Sequence, residues 1–295
     1  MLELEALFSD ETELFRLPME ADPDDNVMIR FRTAAENAER VFLIHEDQWI
    51  GMYKESTRAG FDYYSVQIRV GREPYSYLFA VQQGNDTCYY AKCGASWEPD
   101  RIHPFTIFPG FHTPDWAKGA VMYQIFTDRF CNGDRTNDVL TDEYAYLDSH
   151  VRRIVDWNTP PDGKMDVGNF YGGDLQGVRD KLDYLKELGI EVIYFNPLFV
   201  SPSNHKYDAQ DYDYIDPHFG RIVEDEGMLL PKEEMDNVRA TRYITRVTEK
   251  KNLEASNALF VRLVEEAHAR GIRVILDGVF NHCGSFHKWM DAQCI

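Results

Sequence analysis

The sequence predicts a multidomain β plus α/β fold. A β-sandwich spans residues 1–112, and an incomplete (β/α)8 TIM barrel with about three of its strands spans 113–295. Three observations carry this. Apolar residues alternate at period two in short runs through the N-terminal part of the chain. After Trp116 the texture changes to apolar runs separated by helical spacing. One phrase, Gly-Ile-Glu-Val-Ile at 189–193, returns as Gly-Ile-Arg-Val-Ile at 271–275.

In the first domain, Val27, Ile29 and Phe31 alternate with Met28, Arg30 and Arg32. Tyr64, Val66, Ile68 and Val70 do the same with Ser65, Gln67 and Arg69. Tyr75, Tyr77 and Phe79 follow the turn signal Gly71-Arg72-Glu73-Pro74. Successive side chains of a strand point to opposite faces, so alternating runs between turn residues describe an antiparallel sandwich. The stretch from Pro104 to Pro114, with Pro109, Gly110 and Thr113 between aromatics, reads as the linker out of it.

Val121–Phe126 then predicts a buried strand, followed by a loop rich in Asn, Asp and Gly. Leu175, Val178, Leu182, Leu185 and Leu188 recur at three- and four-residue spacing, one apolar face of a helix. Gly189 ends it, because glycine enters the left-handed C-cap without strain. Val192–Phe195 is the next strand. The second round has a helix face of Leu259, Phe260, Leu263, Val264 and Ala267, a stop at Gly271, and a strand from Ile272 to Leu276 buried on both faces. Strands and helices in this order give parallel strands with right-handed crossovers. The stretch after Trp116 is shorter than the roughly 250 residues that a closed eight-stranded barrel takes, so only the first part of a barrel is expected. Residues 221–255 form an insertion of mixed charge, either a lid or cleft wall or a solvated surface excursion.

Composition narrows the function. A net charge of −19, from 31 basic and 50 acidic residues, argues against nucleic acid or an anionic membrane as partner and leaves a neutral substrate compatible. No apolar run has the length of a membrane span. The acidic, amphipathic start MLELEALFSDETELF is unlike a signal peptide, so a cytoplasmic location is expected. Cys88, Cys93, Cys131, Cys283 and Cys294 are odd in number and lack zinc spacing. Cys88 and Cys93 are expected to pack as small apolar groups.

Polar groups gather in the loops that follow the barrel strands, the end where parallel α/β folds bind ligands. Asn132, Asp134, Asn137 and Asp138 share one glycine-bent loop after the first strand, and Gly172-Gly173-Asp174 arrives before the first helix. Such oxygen donors suit calcium, and equally a loop whose side chains cap their own turns. His205, Tyr207, Asp208 and Asp211 crowd the loop after the second strand, where a ring can stack on a sugar while His and Asp bond its hydroxyls, or where they satisfy one another. Asp277, Asn281 and His282 follow the third strand, as sugar or cation ligands or as ordinary strand-end residues.

The segments YQIFTDRFCNGDRTND (123–138), FYGGDLQG (170–177), SPSNHKYDAQDYDYIDPHFG (201–220) and DGVFNH (277–282) resemble the α-amylase family, glycoside hydrolase family 13, and its neopullulanase, cyclomaltodextrinase and maltogenic amylase branch. The similarity runs over about residues 113–290. A sandwich ahead of the barrel is similar to the immunoglobulin-like, glucan-binding type of module that precedes the catalytic domain in that branch. The resemblance implies a structural calcium held by Asn132, Asp134, Asn137, Asp138, Gly172 through its carbonyl, and Asp174. It implies an α-glucan site in which Tyr207 stacks on the glucose at the cleavage point, with His205, Asp277 and His282 as further substrate contacts. It also implies a homodimer.

The motifs that hold the family's nucleophile, acid/base and third essential carboxylate have no counterpart in these 295 residues, so no catalytic residue is expected among them. Retaining cleavage needs two carboxyls roughly 5 Å apart. The expectation is an N-terminal fragment of a retaining hydrolase acting on α-1,4 or α-1,6 bonds of cyclodextrins, pullulan, starch or maltooligosaccharides, inactive by itself. The alternatives are a non-catalytic glucan-binding protein and a relative that transglycosylates or isomerises.

Overall fold

The computed structural model describes residues 2–161, 163 and 166–290, so Cys294 lies outside it. The chain divides into two compact units, Met1–Asp115 and Trp116–Ile295.

The first unit is an antiparallel sandwich. Its strands are β1 (Arg16–Leu17), β2 (Asn26–Ala34), β3 (Arg40–His45), β4 (Gln48–Arg58), β5 (Phe61–Arg69), β6 (Tyr75–Gln83), β7 (Asp86–Ala91), β8 (Gly94–Ser96) and β9 (Phe105–Ile107). They pair in the order β1-β2-β5-β4-β3-β6-β7-β8, with β9 on β6. β4 serves both layers: its first half pairs with β3 and its second with β5, with a register shift between Lys54 and Ser56. A bulge of this kind bends a strand and lets it pass from one layer to the other. The inward residues are those the alternation picked out. Val27, Ile29 and Phe31 are fully buried, and the Phe31 ring meets Phe79 across the layers at 4.6 Å between centroids. Each such side chain contributes about 1.5–3 kcal/mol of burial.

Three expectations fail in this unit. Phe105–Ile107, read as part of the linker, is β9 of the sandwich and pairs with β6. Ser65, which alternates with the inward apolar residues, is fully buried, while Gln67 and Arg69 on the same face are exposed. Cys88 is buried as expected, but Cys93 is exposed, since it sits in the turn between β7 and β8.

The second unit holds a parallel sheet in which Val192–Phe195 lies between Met122–Ile125 and Arg273–Leu276. Val192, Ile193 and Phe195 have no exposure. The outer strands differ from the prediction: Met122 is 47% exposed and Leu276 37%. Each has a strand neighbour on one side only among the described residues. The first crossover is a broken helix, α1 (Leu175–Asp180) and α2 (Leu182–Glu187), not a single one. Leu175, Val178, Leu182 and Leu185 are buried, whereas Leu188 is exposed. Gly189 has φ +84 and closes the cap, with its amide donating to the Lys186 carbonyl and that of Ile190 to the Leu185 carbonyl. The second crossover is α4 (Lys250–Ala269), capped in the same way at Gly271.

Residues 221–255 are mostly exposed up to 239 and partly packed beyond it. They carry α3 (Thr241–Thr248) and the start of α4. Leu230, Tyr243, Val247 and Leu253 pack in one core with Val139, Tyr144, Val151, Phe170 and Val200. Most of its charges, Glu226, Lys232 and Glu233 among them, face solvent, but one arginine is buried. Arg246, 2% exposed, donates to the Glu143 carboxylate, the Asp138 carbonyl and both oxygens of Asp225. No helix among the described residues is long and apolar enough to cross a membrane.

Candidate functional site

Past the C-terminal ends of the second and third barrel strands, two loops meet. Lys206 sets the shape of the first. It adopts φ +60, with its ammonium fully buried on the Ser201 carbonyl at 2.7 Å and Asp216 at 2.6 Å. The anchored turn presents its neighbours His205 and Tyr207, both half-buried. The Tyr207 amide donates to His205 Nδ1 at 3.0 Å, so that nitrogen is an acceptor, and burial pushes the imidazole pKa down. His205 is therefore a neutral ring.

Tyr207 reaches across to the other loop. Its hydroxyl donates to Asp277 Oδ2 at 2.7 Å, and this bond to a carboxylate is the main cause that pushes the phenol up to about 12. His282 Nε2 donates to the Tyr207 carbonyl at 3.2 Å. That leaves Nδ1 to accept from Asn281 at 3.3 Å. Tyr212 clamps the second loop from outside through the Val279 and His282 carbonyls. Hydrogen bonds thus link His205, Tyr207, Asp277 and His282, and Asp277 and His282 line a cavity of about 550 Å³ together with Phe199, Tyr212, Phe280 and Trp289. Among the described residues, Asp277 is the one carboxylate in that lining. Asn281 is exposed and bonds only to its neighbour.

Asp208 and Asp211 face elsewhere. Asp208 accepts from the Ser201 and Ser203 hydroxyls. Burial would raise its pKa, but these bonds outweigh it and hold it below the usual carboxylate range. Asp211 pairs with Lys288 at 2.7 Å.

The loop after the first strand is zipped to the start of α1. Asp174 caps α1 and accepts from the amides of Gly133, Asp134 and Gly177 and from Asn137 Nδ2. Burial nevertheless pushes its carboxyl up to about 6. Asp138 accepts from Asn132 Nδ2 and, at 2.7–2.8 Å, from Arg153. Asp134 accepts from the amide and hydroxyl of Thr136. The second amide oxygens, Asn132 Oδ1 and Asn137 Oδ1, are buried with no hydrogen-bond partner.

Sequence reasoning missed three residues that hold this loop. Asp128, fully buried, accepts from the Tyr171 and Gly172 amides at 3.0 Å. Gly173 is needed because a Cβ there would lie 2.0 Å from the Thr127 carbonyl oxygen. The doubled glycine before Asp174 was the available signal for it. Arg153 carried none, because its partner Asp138 lies 15 positions away.

The alpha amylase catalytic domain matches residues 124–239 and 255–294, and the alpha amylase N-terminal ig-like domain matches 1–112. A cyclomaltodextrinase of Thermoanaerobacter pseudethanolicus is 31% identical over 98% of this chain and 44% of its own length. Neopullulanase 2 of Thermoactinomyces vulgaris is 33% identical, covering 95% and 42%. An intracellular maltogenic amylase of Bacillus subtilis is 31% identical, covering 90% and 40%. The chain thus spans less than half the length of these relatives. Among solved structures, a cyclomaltodextrinase superposes with TM-score 0.50 at 29% identity, over 96% of this chain and 42% of that one.

Proposed function

The chain belongs to the α-amylase family of glycoside hydrolases, and from that premise we propose that its second unit is the glucan-holding part of a retaining α-glucan hydrolase. The bonds opened are α-1,4 or α-1,6, in cyclodextrins, pullulan, starch or maltooligosaccharides. The observation that carries this reading is the constellation of Tyr207, Asp277 and His282 on adjacent strand ends. The half-buried Tyr207 ring offers a stacking face for a glucose unit. Its committed hydroxyl fixes the orientation of that face, while Asp277, through the oxygen that Tyr207 leaves free, supplies an acceptor for sugar hydroxyls, and His282 would have to exchange its Tyr207 bond for one to the sugar.

The same site limits the chemistry. Covalent retaining cleavage needs a nucleophile and a proton donor, two carboxyls roughly 5 Å apart, and among the described residues the cavity is lined by Asp277 alone among carboxylates. The 295 residues by themselves are therefore expected to position a glucan without cleaving it. For this chain in isolation, that observation favours the second reading, a glucan-binding role. The reading extends to a cytoplasmic location, as for the relative named an intracellular maltogenic amylase.

Binding tests the site. Tyr207→Ala is expected to weaken maltohexaose binding at least tenfold by isothermal titration calorimetry, equivalent to about 1.4 kcal/mol. Unchanged affinity would remove Tyr207 from the sugar site.

A structural calcium is part of the proposal, held by Asn132, Asp134, Asn137, Asp138, the Gly172 carbonyl and Asp174. Two observations support the fit. Asn132 Oδ1 and Asn137 Oδ1 are buried acceptors without a donor, which a hard cation satisfies. Burial raises the Asp174 pKa even though four N–H groups point at it, so its anionic form gains from a nearby cation. Asp138 would be shared between the ion and Arg153. When bound, calcium supplies structural cross-linking only: it ties the first loop to the start of α1. Chelation by EGTA is expected to lower the melting temperature, and added calcium to restore it in proportion to its concentration. A melting temperature indifferent to both would leave the loop a capped turn.

A further inference from the structure

One cluster in the sandwich serves nothing described above. Cys93 lies in the turn between β7 and β8, and Asp100 and His103 lie on the segment leading to β9. A sulfur, a carboxylate oxygen and a ring nitrogen from these three side chains all lie within 4.8 Å of one another. We propose that Cys93, Asp100 and His103 form a binding site for a zinc-type divalent cation, with solvent completing its coordination.

The donors are held in place before any ion arrives. Asp100 Oδ1 accepts from the amides of Ile102 at 2.9 Å and His103 at 3.1 Å, which fixes the turn carrying two of the three ligands. The Lys92 amide donates to the His103 carbonyl at 3.0 Å, and so fastens that turn to the hairpin one residue from Cys93. Only the side-chain tips need to adjust.

The donor set selects the metal class. Calcium and magnesium take oxygen ligands, whereas a thiolate, an imidazole and a carboxylate suit zinc, which binds three protein ligands and leaves a fourth position for water. Cys93 and His103 are exposed and Asp100 is half-buried, so the ion would exchange with solvent. Without metal, Asp100 Oδ2 accepts from His103 Nδ1 at 3.0 Å. Metal binding replaces that shared proton and releases the thiol proton. The bound ion would staple the β7–β8 hairpin to the 97–104 segment and stabilise the sandwich in proportion to its concentration.

Cobalt(II) gives a direct readout, because its bond to thiolate produces a charge-transfer absorption. Titration of the whole 295-residue chain, kept reduced with a phosphine, is expected to raise this band to one equivalent and zinc to abolish it by displacement. Cys93→Ser should remove the band, and His103→Gln should weaken cobalt affinity at least tenfold, with the melting temperature of each metal-free variant confirming that it folds. A missing band in the unaltered chain, a band that survives Cys93→Ser, or an affinity unchanged by His103→Gln would overturn the proposal.

Discussion

Replacing Arg246 with alanine is expected to destabilise the barrel unit by about 3–5 kcal/mol, the usual cost of removing one partner from a buried ion pair. Arg246 sits at the centre of a chain of buried charges. Its guanidinium joins Glu143 at 2.9 Å to Asp225 at 2.7 Å. Glu143 continues to His218 at 2.8 Å, His218 to Asp216 at 2.9 Å, and Asp216 to Lys206 at 2.6 Å. Glu143, Asp216 and Lys206 have fully buried side chains. Without Arg246, Glu143 keeps only His218 and the Leu140 amide, while Asp225 keeps Arg242. The lost side chain also leaves the Asp138 carbonyl without its guanidinium donor.

The effect should reach the sugar site, since the far end of this chain is the Lys206 turn that presents His205 and Tyr207. Urea unfolding of the Arg246→Ala chain, followed in the transition of the barrel unit, measures it. A loss below about 1 kcal/mol would place the network among weak surface pairs. Arg246 lies in residues 240–254, the gap between the two stretches matched to the catalytic domain. The network therefore fastens that stretch to the rest of the barrel unit.

How much of this was legible in the sequence depended on whether burial left a periodic trace. The strand Val192–Phe195 was readable because it is covered on both faces, and β2 because one face is covered and the other open. β4 left no such trace: its burial pattern is exposed almost throughout, and what makes it a strand is pairing with two neighbours. The break between α1 and α2 at Lys181 had no glycine or proline to announce it. Residues 221–255 were legible only in part: the charge run is largely exposed, as a solvated face is, but the buried Arg246 left no signal. Arg246 and Glu143, 103 positions apart, neutralise each other only once the chain is folded. At the sugar site the residue types and their order were readable, and the Tyr207–Asp277 bond follows from adjacent parallel strands. What could not be read was the role of Lys206 as anchor, since a lysine between a histidine and a tyrosine in a polar loop reads as a surface charge.

The second large effect concerns turnover. In the proposed site Tyr207, Asp277 and His282 hold and orient a glucan, but orientation accelerates a reaction only where groups meet the developing charges of the transition state. With one carboxylate in the lining among the described residues, the site has an acceptor for sugar hydroxyls and no pair to attack the anomeric carbon and protonate the leaving oxygen. The difference between such a site and a paired one is the whole covalent step, so the expected rate is zero rather than reduced. The most direct test is release of new reducing ends from β-cyclodextrin, pullulan and maltohexaose by the purified 295-residue chain. The expected result is no turnover of any of the three, alongside binding that Tyr207→Ala weakens. Turnover that falls when Asp277 is replaced by asparagine would contradict the account, because it would show that the catalytic carboxylates lie within these residues.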